Sequence, residues 1–413
     1  MAKLQPFRAY RPVLGLESKI ASPPYDVINS KEARIMAAGN QHSFLHVVKP
    51  EIDLDESIDT HDERVYAKAR ENFQNFITEG FLIREEIPSL YLYRLVMGEH
   101  WQIGLVAGVS VLEYETDKIK KHELTRKDKE DDRTRHVDVV NANAGPVFLT
   151  YRSQPEIDAK IACLCQNIPI YDFTANDGIK HTIWVISHPY DLDEIRHLFT
   201  QVPDLYVADG HHRSASAARV GAARRAIDPS PSGEKVYDYF LAVLFPHDQL
   251  AILDYNRVVK DLNGLSREAF LKAVSRNFIV APASQPKPEQ PNMFGMYLPG
   301  QWYRLQTKPG TFPSNDPVKS LDVSILQDNL LAPVLGIHDP RTDTRIDFVG
   351  GIRGTNELEQ RVNDGEAVAF AMFPTSIDQL MSIADAGKVM PPKSTWFEPK
   401  LRSGLIVRSL EDI

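Results

Sequence analysis

The run LYVADGHHRSASAARVGAARR, residues 205 to 225, constrains the fold of this chain more than any other stretch. Leu205 to Val207 predict a short buried strand, Asp209-Gly210 a tight turn, and Ser214 to Arg225, rich in Ala and Arg, a helix. Asp209, Gly210, His211, His212 and Arg213 thus stand where a strand turns into a helix. A helix start presents unpaired backbone N–H groups and a partial positive charge, so anions are favoured there. Arg213 adds a planar fork of donors, and the two imidazoles can donate hydrogen bonds, carry protons or ligate metal. The same pattern also suits a solvated first helical turn with incidental histidines, because most Asp-Gly pairs are only turns.

At 413 residues the chain has room for two or three domains. A net charge of −9 gives no global basic field for DNA, which argues against a nucleic-acid partner. No apolar run reaches membrane-spanning length, and the first residues lack a signal-peptide core, so the expectation is a cytoplasmic protein. The two cysteines, Cys163 and Cys165, fit a reduced compartment and lack the second ligand pair of structural zinc. On a helix from about Pro155 to Gln166 they point different ways, and the expectation is Cys163 in the core and Cys165 at the surface.

Along the chain, Ser22-Pro23-Pro24-Tyr25-Asp26 holds a tyrosine and a carboxylate rigidly, either for a site or for a domain seam. Residues 62–79 carry apolar positions at helical spacing, and 90–97 with 102–113 predict a strand pair. The charged run from Asp117 to Asn143 predicts a helix after Thr125, and a solvated face held by charge pairs explains most of it. It does not explain His122-Glu123, which follows Lys120-Lys121; a carboxylate so flanked can accept a proton from a hydroxyl. Residues 226–235 read as a loop, and 237–245 and 250–259 as buried strands, the second placing Arg257 near its end. A proline-rich connection spans 281–292. In the tail, Pro391-Pro392 precede Lys393, Ser394 and Thr395, with Lys400 and Arg402 behind them: hydroxyls and cations with few acids, as a phosphate pocket needs.

Several motifs occur in the order of one family: PFRAYRP, SPPYDV, KHELTRKDKEDDR, ADGHHRSASA, LDVSILQDNLLAPVLGI and MPPKSTWFEPKLRSG. On them the chain resembles the uncharacterised bacterial family called domain of unknown function ten-fifteen, often described as similar to ParB. More distantly, His122-Glu123, Asp209 to Arg213 and Pro392 to Thr395 resemble, in the same order, motifs of the ParB-like free serine kinase. That resemblance implies an α+β (mixed α/β) protein with a ParB/sulfiredoxin-like central nucleotide domain. It implies phosphotransfer between a nucleotide, ATP or ADP with Mg²⁺, and the hydroxyl of free L-serine. By carry-over Glu123 is the general base, with His122 and Asp209 catalytic. Gly210, His211, His212 and Arg213 hold nucleotide phosphates, and Lys393, Ser394 and Thr395 hold substrate; Arg257, at a strand end, and Tyr25, after the tandem prolines, are assigned to the substrate from their place in the chain, outside the matched motifs. No resident metal is assigned to protein ligands.

The expected domains are 1–115, 116–245 and 246–413, the first and last being α/β additions to the central one. Alternatives are a phosphoserine phosphatase using the same pocket and a ParB-like nucleotide- or DNA-binding protein without metabolite turnover. A metal-dependent hydrolase using His122, His211 and His212 ranks last, because their spacing matches no standard zinc signature. The small-molecule partner is L-serine or phosphoserine, and a homodimer is compatible with the sequence.

Overall fold

Near-continuous apolar strands and amphipathic helices alternate along the chain, and in a computed structural model, which describes residues 2–229 and 233–411, they form a mixed α/β protein. Residues 230–232, within the loop expected over 226–235, lie outside the described residues. The chain divides into two compact units. The first comprises Met1–Lys121, Thr125–Leu250 and Pro399–Ile413; the second comprises His122–Leu124 and Ala251–Glu398. No helix among the described residues is long and apolar enough to cross a membrane.

The first unit is built on a nine-stranded sheet. Its central strand, Tyr239–Pro246, is buried at all eight positions, as a strand covered on both faces must be. It pairs in parallel with Val147–Tyr151 and antiparallel with His100–Ser110. Beyond Val147–Tyr151 lies Leu205–Asp209; beyond His100–Ser110 lie Leu90–Met97, Lys180–Ile186 and Tyr171–Thr174. Helices Pro155–Leu164 and Pro189–Phe199 contribute Ile157, Ile161, Ile195 and Phe199 to the core on this sheet. A second apolar cluster joins Phe44, Phe73 and Phe76, with the rings of Phe44 and Phe76 edge to face at 5.8 Å.

The second unit carries a six-stranded antiparallel sheet, in order Phe278–Ala283, Gln301–Thr307, Met293–Leu298, Val368–Ala371, Tyr255–Val259 and Ile346–Gly350. Its first strand runs into the proline-rich connection, and Pro282 is tolerated there because the strand is at an edge. The stretch expected as one strand over 250–259 is two: Ala251–Leu253 pairs with Trp396–Glu398, and Tyr255–Val259 joins the large sheet. Asp254 makes the break, its carbonyl accepting from Gly351 N–H at 2.7 Å and its carboxylate from Asn256 Nδ2 at 2.5 Å.

The domain border expected at 115/116 falls inside the first unit, whose sheet takes strands from both sides of it. The long segment of the second unit begins at Ala251. The tail from Pro399 belongs to the first unit rather than with 246–398. There Arg408, buried, donates to the carbonyls of Tyr239 at 2.7 Å and Val236 at 2.8 Å, and Arg408–Ser409 pairs with Ala142–Asn143. The cysteines are placed opposite to expectation: Cys163 is exposed and Cys165 is half-buried against the core. Ile157, Ile161 and Leu164 set the buried stripe of that helix, and Cys165 follows Leu164 at the stripe's end while Cys163 faces away.

Gly104 is required by packing: a Cβ there would come within 2.7 Å of Val243 Cγ1 and 2.8 Å of Phe245 Cε1. Gly104→Ala is therefore expected to destabilise the first unit by about 1–3 kcal/mol, read as a lowered urea midpoint. An unchanged midpoint contradicts this packing.

Candidate functional site

The strand Leu205–Asp209 runs antiparallel to Val147–Tyr151 with a register shift between Val207 and Asp209, and the 17-residue helix His211–Ile227 begins directly after Gly210. The helix therefore starts three residues before the expected Ser214. Gly210 makes this possible with φ +98°, a left-handed conformation that side-chain-bearing residues adopt at a cost. It also gives room: a Cβ at Gly210 would lie 3.1 Å from Arg213 Nε.

Arg213 folds back over this turn, 12% exposed, donating to the Pro146 carbonyl. Its Nη2 lies 3.7 Å from Asp209 Oδ2 and 3.8 Å from Asp26 Oδ2. Lys400 Nζ lies 3.2 Å from Asp209 Oδ2. Burial alone would raise the Asp209 carboxyl; Lys400 and Arg213 outweigh it and hold the group well below the usual carboxylate range. Asp26 arrives on the turn after Pro23-Pro24, and that turn brings Tyr25 as well, with the Arg133 guanidinium 4.2 Å from its ring centroid. His212 Nε2 accepts from Arg126 N–H at 3.1 Å, so in the neutral ring the proton sits on Nδ1. His211 is buried.

The charged helix Lys127–Val140 packs beside His211–Ile227 and is more than a solvated face. Asp132 and His136, four apart, are buried: Asp132 accepts from Tyr66 OH at 2.9 Å, and His136 Nε2 lies 2.9 Å from the Val47 carbonyl. Burial and the Arg133 charge push His136 down to about 4, so it is neutral at ordinary pH. Arg219 and Arg224 tie the two helices together through Asp131 and Asp138 at 2.7 and 3.2 Å.

The second unit holds the remaining predicted residues. His122 is buried and Glu123 partly so, on a bend that precedes the charged helix, and the His122 carbonyl accepts from Met390 N–H at 2.7 Å. Lys120 and Lys121, in the first unit, pair with Asp204 at 3.2 Å and Asp117 at 2.6 Å. In the tail loop Lys393 has φ +60°, Ser394 Oγ donates to the Pro391 carbonyl at 2.6 Å, and Thr375 donates to the Ser394 carbonyl at 2.9 Å. Arg257, 3% exposed, donates to the carbonyls of Tyr255 and, at 3.0 Å, Lys393, and burial lowers its pKa to about 10. Arg257 thus supports the backbone of the 393–395 loop.

The first unit therefore gathers Asp209 to Arg213 with Tyr25, and the second gathers Arg257 with Lys393 to Thr395. The tail cations separate: Lys400 pairs with Asp209 and Arg402 with Asp177, both in the first unit, while Lys393 stays in the second. Arg133 is an addition to the residues the sequence singled out, whereas Asp26 and Lys400 were among them without being placed at this turn. The tandem prolines signalled Asp26; nothing local in sequence signalled the Lys400–Asp209 pair, whose members are 191 residues apart.

The chain belongs to the family described as "Protein of unknown function (DUF1015)", whose model matches residues 4–324. No curated protein matches the chain. Among solved structures it is similar to a conserved hypothetical protein from Pyrococcus furiosus, at 12% identity and TM-score 0.37 over 73% of this chain and 95% of that one. A free serine kinase in complex with AMP is similar at 13% identity and TM-score 0.36, over 72% and 91%. SbnI with C-terminal truncation from Staphylococcus aureus is similar at 11% identity and TM-score 0.39, over 73% and 86%.

Two outcomes follow from this geometry. Because the folded Asp209 carboxyl titrates below its unfolded value, its contribution is present above the unfolded carboxylate pKa and is lost as pH falls through the folded one. Asp209→Asn should therefore flatten the loss of urea stability from about pH 5 to pH 3 relative to the parent. Arg257→Gln should cost about 1–3 kcal/mol by leaving the Tyr255 and Lys393 carbonyls short of a donor, whereas Lys393→Ala should shift the urea midpoint little.

Proposed function

We propose that the protein is a phosphotransferase of the ParB-like serine kinase type, moving phosphate between a nucleotide and the hydroxyl of free L-serine or a similar small hydroxyl metabolite. The observation that carries this reading is the turn at 209–213: a left-handed Gly210 at a long helix start, beside an ionised Asp209 and two cations. The ordered resemblance of the His122-Glu123, 209–213 and 392–395 motifs to the serine kinase supports it. The region around the turn is then the ParB/sulfiredoxin-like nucleotide domain.

In this reading the first-turn N–H groups of His211, His212 and Arg213 bind nucleotide phosphate, as helix starts do. Lys400 and Arg213 offset the charge of Asp209 and Asp26 and keep the pocket from repelling an anion. Mg²⁺ would come with the nucleotide, held by its phosphates, because the oxygens of Asp209 and Asp26 are taken up by Lys400 and Arg213. When bound, Mg²⁺ neutralises phosphate oxygens as charge shifts during transfer. Glu123 accepts the proton of the serine hydroxyl as its oxygen bonds to phosphorus and the bond to the leaving nucleotide oxygen breaks. His122 orients Glu123. Lys393 and Thr395 bind the carboxylate or the phosphate of the amino acid, Ser394 adds an accepting oxygen, Tyr25 shapes the phosphate side, and Arg257 fixes the loop.

Purified protein incubated with L-serine, Mg²⁺ and either ATP or ADP should form O-phosphoserine, and phosphoserine with AMP or ADP reports the reverse direction. Glu123→Gln should lower turnover by about 100-fold or more with nucleotide affinity within about twofold of the parent. Absence of turnover in both directions, together with salt-sensitive retention on DNA, overturns the reading in favour of a binding protein.

A further inference from the structure

At the other end of the first unit's sheet from the 209–213 turn, the helix Pro155–Leu164 leaves one corner of the sheet uncovered. Arg94 and Val96 lie two apart on Leu90–Met97, Trp101 and Ile103 two apart on His100–Ser110, and their register partners are Ile103 with Arg94 and Trp101 with Val96. These side chains continue the core-facing side of the sheet, since Leu92 and Leu105 on the same alternation are core residues. Asp158, Ile161, Ala162 and Cys165 face them at helical spacing. The result is a cavity of about 760 Å³ that Lys180 and Gln249 also line. Its size and largely apolar wall with few polar groups are those of a small-molecule site.

The polar groups choose the ligand. The Arg94 guanidinium lies 5.2 Å from the Trp184 ring, and Nη2 donates to Thr182 Oγ1 at 3.4 Å. Its Nε is buried with no hydrogen-bond partner among the described residues. Asp172, which Arg94 influences, is occupied by Lys180 at 3.0 Å and Thr182 at 2.8 Å. The Arg94 Nε is closed off from the cavity, so the donor a ligand can meet is Nη1, which has no partner among the described residues; a guanidinium edge of this kind at the wall of an apolar cavity matches a carboxylate. The opposing Asp158 Oδ1 is likewise buried without a partner among the described residues, and burial with Asp248 nearby raises that carboxyl. Burial pushes the Cys165 thiol up to about 11, so it serves as apolar wall and not as nucleophile.

We propose that this cavity binds a small organic acid, its apolar body against Trp101, Ile103 and Ile161 and its carboxylate on Arg94. The site shares no residue with the 209–213 turn and is independent of the phosphotransfer reading. The test is calorimetric titration of the full chain with naphthalene-2-carboxylate and with its neutral isostere naphthalene-2-carboxamide. The carboxylate should bind about tenfold or more tightly than the amide. Arg94→Gln should abolish that preference while leaving amide affinity within about twofold, and Arg94→Lys, which keeps the charge without the fork, should retain part of it. Ala162→Trp, at an exposed wall position, should weaken both ligands about tenfold by filling the space. No binding of either probe, equal affinity for the two, or wild-type affinity in the Ala162→Trp variant overturns the proposal.

Discussion

The opposition of Lys400 and Arg213 to Asp209 and Asp26 is the constraint on which the candidate phosphate turn depends. Charges taken out of water must be paired, and removing one partner of such a set leaves another exposed to the full desolvation cost. The set draws on three distant parts of the chain: the turn after the tandem prolines, the strand-to-helix turn and the tail. Gly210 has to be glycine both for its φ and because Arg213 lies against it. The tail has to return to the first unit to deliver Lys400, and the buried Arg408 with its three acceptors anchors it there.

The same logic explains the charged helix. A run such as KDKEDDRTRHVDVV looks solvated because its apolar content is low, yet it buries Asp132 and His136 by giving each a partner. Polar groups can form part of an interior when hydrogen bonds replace water. The cost is sensitivity to protonation: a neutral buried imidazole and a depressed carboxyl both favour the folded state at neutral pH over the acidic state.

Pairing also reshapes the functional reading of the cations. Arg213 and Lys400 are committed to carboxylates, so their contribution near the turn is to balance charge and hold Asp209, while the helix start supplies the donors. In the second unit Arg257 contributes by holding carbonyls, including that of Lys393 in its left-handed conformation. The Ser394 hydroxyl is engaged by Pro391, leaving its oxygen as an acceptor.

Local pattern determined much of this protein. The alternation of apolar runs and turn residues predicted the strand pair that starts at 90–97 and the strand, Gly turn and helix at 205–227, because backbone preference and periodicity act over a few residues. The family was legible too, since its motifs are contiguous. Only the tertiary structure decided that Lys400 serves Asp209, that Tyr25 sits with the turn, that the strand over 250–259 breaks at Asp254, and that Cys165 rather than Cys163 faces the core. Those outcomes rest on which side chains meet across tens to hundreds of residues and on a helix's exact phase against a sheet. Such long-range energies have no signature in the spacing of neighbouring residues.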